Sequence, residues 1–408
     1  MGESTAIAVI GTFDSKAEEH RFLESRIKRR GIDVLTINVG TKGPAPTPVS
    51  IDLFPEMIEK NKDAHAGRDS AIAMMIREAS ARVKQLHDEG RLLGLISAGG
   101  GTGTHLCTAI MRQLPLGVPK VMVSTVASRD MRHIVATKDI VMIHSVADIL
   151  GVNSILGTIL DQAAAAVCAM ARSQWQPDHA PQRIGLPFFG FITESAENTR
   201  EALERLGYEV VAFHANGTGG MAMVELAAEG YFDGILDLAT HELADDLKDG
   251  YCGGIGPERF APIPGREIPR LVVPGGLDCA VLEFTRDTVP DIYRDRKIFY
   301  YDFRSAIRLD ASETRMLADQ LSEKLNLAPQ TVRVLIPSRG WSEADREGGP
   351  LFDPEISRVF VNRLKNQLTD GIEIVEVDCH INDKEFAERA ASMMHEMVVR
   401  LPVKPVAR

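Results

Sequence analysis

Residues 7–43 read IAVIGTFDSKAEEHRFLESRIKRRGIDVLTINVGTKG, and residues 185–220 read GLPFFGFITESAENTREALERLGYEVVAFHANGTGG. Each stretch sets out an apolar run, a small-polar turn, a charged helical stretch, a glycine, a second apolar run and a Gly/Thr turn. Short apolar runs of this kind read as parallel strands covered on both faces. Strand, helix, strand is the opening of a Rossmann-like sheet. Two openings predict an α/β protein of two Rossmann-like doubly wound domains with mainly parallel sheets. In such sheets ligands sit at the carboxyl ends of strands, so function is sought in the loops that follow them.

The pattern extends outward from both stretches. In the first half, strands are predicted at 6–10, 33–38, 93–97, 120–124 and 140–143, with helices over 70–89, 104–114 and 154–171. Helix 70–89 repeats Ile72, Met75, Ile76, Ala79, Val83 and Leu86 near the helical period, and Gly90 stops it. In the second half, strands are predicted at 184–192, 210–214, 234–238, 270–273, 298–301, 332–337 and 372–377. Helices over 194–206, 221–229, 311–326, 353–368 and 383–399 alternate with most of them. The polar, proline-bearing SQWQPDHAPQR, 173–183, marks the boundary. The division predicted is a nucleotide-binding domain over 1–177 and a second Rossmann-like domain over 178–408. The Gly- and Pro-rich segment 250–266 is predicted to be an ordered loop.

Composition excludes several classes. Lys and Arg number 46 against 57 Asp and Glu, a formal charge of −11, which argues against nucleic acid as a bulk partner. The five cysteines, Cys107, Cys168, Cys252, Cys279 and Cys379, are scattered and form no CxxC pair. Neither a disulfide framework nor a zinc site is expected from them, and a reducing compartment is. The first residues lack a signal-peptide pattern, and no run of eighteen uncharged apolar residues occurs. A cytoplasmic location and no membrane partner are therefore expected.

GLISAGGGTGTHL, 94–106, carries the sharpest local signal. A predicted strand runs into Gly99, Gly100, Gly101, Thr102, Gly103 and Thr104, and a helix follows. Glycines let several backbone N–H groups gather at one spot, and the helix adds its unpaired donors and positive dipole end. The arrangement suits phosphate or carboxylate, although neither the P-loop pattern nor the dinucleotide fingerprint is matched. The turn Gly11, Thr12, Phe13, Asp14, Ser15, Lys16 opens the first helix. There Asp14 or Ser15 is a possible cap, and Lys16 sits where the dipole disfavours a cation unless it meets an anion. Loops 38–43, with Gly40, and 124–130, with Ser124, Thr125, Arg129 and Asp130, belong to the same strand-end set.

In the second half, His214 to Gly220 repeats the anion-cradle pattern, with Asn216, Gly217, Thr218, Gly219 and Gly220 as second-site candidates. His241-Glu242 followed by Asp245 falls short of H-E-x-x-H, so a zinc-protease reading is rejected. His214, Arg339 and His380 each follow an apolar strand and are the candidate catalytic groups.

GTFDSK (11–16), SAGGGTGT (97–104), STVASRD (124–130), HANGTGG (214–220), PSRGWSEADREGGPLFDPE (337–355) and HINDKEFAERAA (380–391) together resemble the blocks of a widespread, largely uncharacterised family. That family includes the N-terminal ATP-binding domain of the tomato mosaic virus resistance protein. The resemblance spans essentially the whole chain. It implies two Rossmann-like subdomains, ATP in the first, and dimerisation. The family's nucleotide loops fall on Gly11 to Lys16, Gly40, Gly99 to Thr104 and Ser124 to Asp130. Asn216 replaces a small residue of the family's block, and His241 replaces a usual Thr.

The combined expectation is a cytoplasmic, homodimeric ATP-binding protein. Phosphates lie on GGGTGT, Lys16 neutralises charge, and Mg²⁺ accompanies the nucleotide because it commonly bridges phosphates. The rival expectation is a metabolic enzyme acting on a small carboxylate or phosphorylated substrate between the domains, with ATP as a cosubstrate. It requires His214, Arg339 and His380 to converge.

Overall fold

The computed structural model describes residues 5–60, 67–173, 175 and 181–401. The chain divides into two compact units, Met1–Pro177 and Asp178–Arg408. The expected boundary at 177/178 itself lies outside the described residues.

The first unit runs β1 (Ala6–Gly11), α1 (Phe13–Lys28), β2 (Val34–Asn38), β3 (Ile51–Asp52), α2 (Phe54–Lys60), α3 (Arg68–Asp88), β4 (Leu92–Gly99), α4 (Gly101–Met111), β5 (Lys120–Ser124), α5 (Arg132–Val135), β6 (Val141–His144) and α6 (Ser154–Ala171). Its six strands are all parallel, in the order β3-β2-β1-β4-β5-β6. Every residue of β1 is buried, as a central strand covered on both faces requires. One face of the sheet carries Ala8, Ile10, Leu95 and Met122 against Met75, Val83, Leu106 and Ile110 of α3 and α4. The other carries Ile7, Val9, Ile96 and Val121 against Leu23, Leu156, Leu160 and Val167 of α1 and α6.

Helix α6 is long and apolar enough to cross a membrane by length and composition. Its placement gives it another role. Leu156, Leu160, Ala163, Ala164 and Val167 are fully buried in the unit's core, and Asp161 pairs with Arg26 of α1 and with Arg30 just beyond its end. Burying each of those leucines stabilises the fold by about 1.5–3 kcal/mol.

The second unit runs β7 (Arg183–Phe188), α7 (Thr193–Arg205), β8 (Glu209–His214), α8 (Thr218–Glu229), β9 (Gly234–Ala239), α9 (Glu242–Leu247), β10 (Arg270–Gly275), β11 (Cys279–Leu282), β12 (Ile298–Tyr300), β13 (Ser305–Arg308), α10 (Ala311–Leu325), β14 (Val332–Pro337), α11 (Pro354–Gln367), β15 (Glu373–Val377) and α12 (Lys384–Arg400). Six parallel strands lie in the order β15-β14-β10-β9-β7-β8. A separate antiparallel sheet has the order β11-β13-β12. The strand expected at 298–301 therefore exists but belongs to this small sheet, where Ile298 pairs with Ile307. The predicted strand 184–192 ends at Phe188, and Gly190–Ile192 is a 3-10 turn that leads into α7. Segment 250–266 has no helix or strand; its Arg259 is buried between Asp237 and Glu242.

The two units share the opening strand–helix–strand and then differ. In the first, the chain reverses direction across the sheet between β1 and β4. In the second, it reverses between β7 and β9. Open α/β sheets bind ligands in the crevice at such a reversal, outside the strands' carboxyl ends.

Candidate functional site

The reversal in the first unit brings together the two loops with the strongest signals in the sequence. Thr12, Asp14, Ser15 and Lys16 follow β1, and Gly99 to Gly103 follow β4. With Thr41, Lys42 and Arg68 they line one cleft of about 230 Å³. Two helices begin there. Helix α4 has Gly100 as its N-cap and no side-chain cap. Among the described residues, no acceptor meets the amides of Gly101, Thr102 or Gly103; the first amide of this turn to be used is that of Thr104, which donates to Gly100 O at 2.8 Å. Unpaired donors at a helix start cost free energy unless water or a ligand accepts from them.

The glycines divide by role. A Cβ on Gly99 would lie 3.1 Å from the backbone of Gly103, so Gly99 permits the tight turn. A Cβ on Gly101 or Gly103 would meet nothing within 4 Å, so their lack of a side chain keeps the cleft open. Gly11 has no room for a Cβ against the His20 ring, and Gly40 has none against the Asp14 carboxylate. Those two glycines shape the cleft from behind and do not line it.

Helix α1 starts at Phe13 with Thr12 as N-cap and no side-chain cap, so neither Asp14 nor Ser15 caps it. Instead, Asn38 Oδ1 accepts from the Phe13 amide at 3.1 Å and from the Gly40 amide at 3.0 Å. The Phe13 ring is fully buried in the core, which removes it as a ligand contact. Asp14 Oδ2 accepts from the Lys42 amide at 2.9 Å, while its Oδ1 is buried with no partner among the described residues. The backbone at Lys16 leaves helical geometry, with φ −135° and ψ 36°. Lys16 lines the cleft, and its Nζ donates to the carbonyl of Ile149. Three cations and one carboxylate thus line the cleft.

Not every predicted residue reaches it. Thr104 and Ser124 are buried and bonded to each other, hydroxyl to hydroxyl at 2.7 Å, so they brace the base of the loop. Thr125 donates its amide to Gly99 O at 3.2 Å. Asp130 is exposed and committed to Arg132 at 2.8 Å, which holds its carboxyl down at about 2. Arg129 is exposed and lies outside the cleft lining. Conversely, Arg68 was not legible as a site residue. It starts α3, follows no strand, and donates to Thr102 Oγ1 at 3.3 Å.

The second unit corrects the sequence reading more sharply. His214 ends β8 at one edge of the sheet, and Arg339 follows β14 near the other; β7, β9 and β10 lie between those strands. At about 4.8 Å per strand, that separation prevents one small ligand from meeting all three candidates. Arg339 is exposed and forms a bidentate pair with Asp378 at 2.8 and 2.7 Å. His380 is buried, with Nε2 on Ser342 O at 2.9 Å and Nδ1 accepting from the Asn382 amide at 3.1 Å. Their expected convergence is not found. The loop of Asn216 to Gly220 is likewise turned inward. The Gly217 amide donates to Glu242 Oε1 at 2.8 Å, and that of Gly219 to Asn216 Oδ1 at 3.1 Å. Cβ atoms on Gly219 and Gly220 would strike His214 O and the Arg259–Glu242 pair respectively. Thr218 is exposed at the start of α8.

The reversal between β7 and β9 instead holds His241. Its ring stacks on Phe189, with centroids 3.8 Å apart, and burial pushes its pKa down to about 3. Nearby, burial raises the Asp245 carboxyl to about 7 despite amide bonds from Val281 and Cys252.

Comparison with known proteins agrees with this architecture. The N-terminal domain of the uncharacterised protein family UPF0261 matches residues 5–176, and its C-terminal domain matches residues 181–398. A UPF0261 protein of Clostridium tetani is 36% identical over 406 residues, covering 96% of this chain and 98% of that protein. The ToMV resistance protein Tm-1(GCR237) of Solanum lycopersicum is 31% identical over 418 residues, covering 95% of this chain and 55% of the plant protein. The UDP-GlcNAc 2-epimerase structure from Methanocaldococcus jannaschii aligns over 96% of this chain and 92% of its own. Its identity is 11% and its TM-score 0.23, so it carries no weight for function.

Proposed function

This chain belongs to the uncharacterised protein family UPF0261, and on that premise we propose that its first unit binds ATP. The observation that carries the proposal is the set of open amides on Gly101, Thr102 and Gly103 in a cleft also lined by Lys16, Lys42 and Arg68. Backbone donors at a helix start select negative charge and accept phosphate oxygens without a dedicated side chain. Lys16 and Arg68 supply the remaining neutralisation, Arg68 with the planar fork that suits phosphate.

Mg²⁺ fits the same cleft. Hard cations take oxygen ligands, and Asp14 brings an oxygen with no protein partner among the described residues. Thr12 and Ser15 add hydroxyls beside it. Asp14, Thr12 and Ser15 would hold the ion, which would supply positive charge against the phosphates; the protein's own part is to fix Asp14 between Gly40 and the Lys42 amide.

Titration calorimetry with ATP, ADP, AMP and adenosine, each with and without Mg²⁺, tests the reading. Affinity is expected to rise with phosphate number. Adenosine binding as tightly as ATP would overturn it. Homodimer assembly is part of the same proposal, supported by Val146, Leu150 and Ile155, which expose 69%, 81% and 55% of their surface around the β6–α6 connection. Light scattering that returns a single-chain mass of 44.7 kDa would remove that part.

A further inference from the structure

The second unit has its own sheet reversal, between β7 and β9, and the chemistry there differs from that of the first. His241 is 1% exposed, and neither ring nitrogen has a hydrogen-bond partner among the described residues. Buried polar atoms are normally satisfied, because leaving one without a partner forfeits its hydration with nothing in return. Two on one ring require an explanation. Stacking on Phe189 orients the ring but satisfies neither nitrogen.

The explanation lies one helical turn away. His241 is the N-cap of α9, and Asp245 is four residues on, so both project from the same face. The chain then folds back. Gly250 donates its amide to Asp245 O at 2.7 Å, and Cys252 donates its amide to Asp245 Oδ2 at 2.8 Å. One donor atom from each of His241, Asp245 and Cys252 lies within 4.8 Å of the others, and all three residues are buried.

We infer that His241, Asp245 and Cys252 form a buried binding site for a zinc-class divalent ion beside the second unit's sheet reversal. The donor set argues for this class. Imidazole nitrogen, thiolate sulfur and carboxylate oxygen together match zinc, whereas Ca²⁺ and Mg²⁺ want several oxygens and no sulfur. Zinc bonds of roughly 2.0–2.3 Å place tetrahedral ligands about 3.3–3.8 Å apart, so the three donors need draw in by no more than about 1.5 Å on binding. The supporting shell is in place. The Val281 amide holds Asp245 Oδ1 at 2.8 Å, and the Cys252 amide holds Oδ2. Each oxygen keeps a second lone pair for the ion. Three protein donors leave one position of a tetrahedron for water or a substrate atom, the ligand count of reactive zinc sites rather than of closed structural ones.

The test uses the full chain, stripped with chelator and free of nucleotide, titrated with Co²⁺. One equivalent is expected, with the thiolate-to-cobalt charge-transfer band and the visible bands of a four-coordinate ion, both erased by Zn²⁺. Cys252→Ser should lose the charge-transfer band. His241→Phe keeps the stack on Phe189 and adds no polar atom, so it should fold while Co²⁺ affinity falls roughly a hundredfold or more. Zn²⁺ should raise the melting temperature of the parent and leave that of His241→Phe unmoved. A parent chain that takes up no Co²⁺ would overturn the assignment. So would a charge-transfer band that survives Cys252→Ser, since the ion would then sit on another of the buried thiols.

Discussion

Replacing Gly101 by valine separates binding from folding at the glycine loop. A Cβ there meets no atom within 4 Å, the backbone φ is not positive, and the position is the first residue of α4. Valine is a better helix residue than glycine by a few tenths of a kcal/mol. Stability should therefore stay within about 0.5 kcal/mol of the parent. The branched side chain instead fills the space that a phosphate needs to reach the amides of Gly101, Thr102 and Gly103. A hydrogen bond to a charged group contributes about 1.5–3 kcal/mol, so forfeiting one or two of three weakens ATP by about 3 kcal/mol, roughly 150-fold. Calorimetry gives the affinity, and a thermal melt of the same sample gives the fold. Gly99→Ala is the matched control, because its Cβ sits 3.1 Å from backbone atoms of Gly103 that cannot give way. It should lose about 1–3 kcal/mol of stability. Parental ATP affinity in Gly101→Val, or equal unfolding in both variants, would refute the division of roles among the glycines.

Lys16→Ala should weaken ATP by about 1–3 kcal/mol and adenosine hardly at all; equal loss for both ligands would assign Lys16 to holding the Ile149 segment. Burial holds the His20 imidazole below its ordinary 6.5, so the unfolded chain binds the proton more readily than the folded one. Stability is then full above about pH 6.5 and falls below it, by at most ~1.4 kcal/mol per pH unit, and urea melts of His20→Leu should lack that share of the acid-side fall. Arg259→Met strands the buried Glu242 and leaves the buried Asp237 with Arg270 alone, 3.5 Å away, and should cost about 3–5 kcal/mol in chemical denaturation. A variant as stable as its parent would show that the ion pairs are energetically neutral.

The parallel strands were legible because burial on both faces leaves a continuous apolar run, as in VMV at 121–123 and VLIP at 334–337. Strands β11 and β13 were not, since CAVL and SAIR are four residues each and β11 meets β13 only across residues 283–304. Helix α9, at six residues, is too short to show a period. At the site, loop order along the sequence identified the glycines and Lys16, but no local pattern says that Thr104 and Ser124 spend their hydroxyls on each other. The failure with His214, Arg339 and His380 has a single cause. Sequence shows that each follows a strand, while strand order, set by tertiary packing, decides which strand ends are neighbours. The same ignorance hid His241 beside Phe189.

The different placement of the reversal in the two sheets has a consequence for how each unit assembles. In the first unit the crevice joins Thr12 to Gly101, 89 residues apart; in the second it joins Phe189 to His241, 52 residues apart. Closing the longer span costs only about 0.5 kcal/mol more in chain entropy. The larger effect is on order of events, because contacts between nearer segments form sooner and slow folding less. The crevice of the second unit can close once β7, β8 and β9 have met, before β10, β14 and β15 are added. That of the first must wait for β4, after β3, α2 and α3 have already been laid down, so on refolding the Phe189–His241 stack should gain protection earlier than the glycine loop.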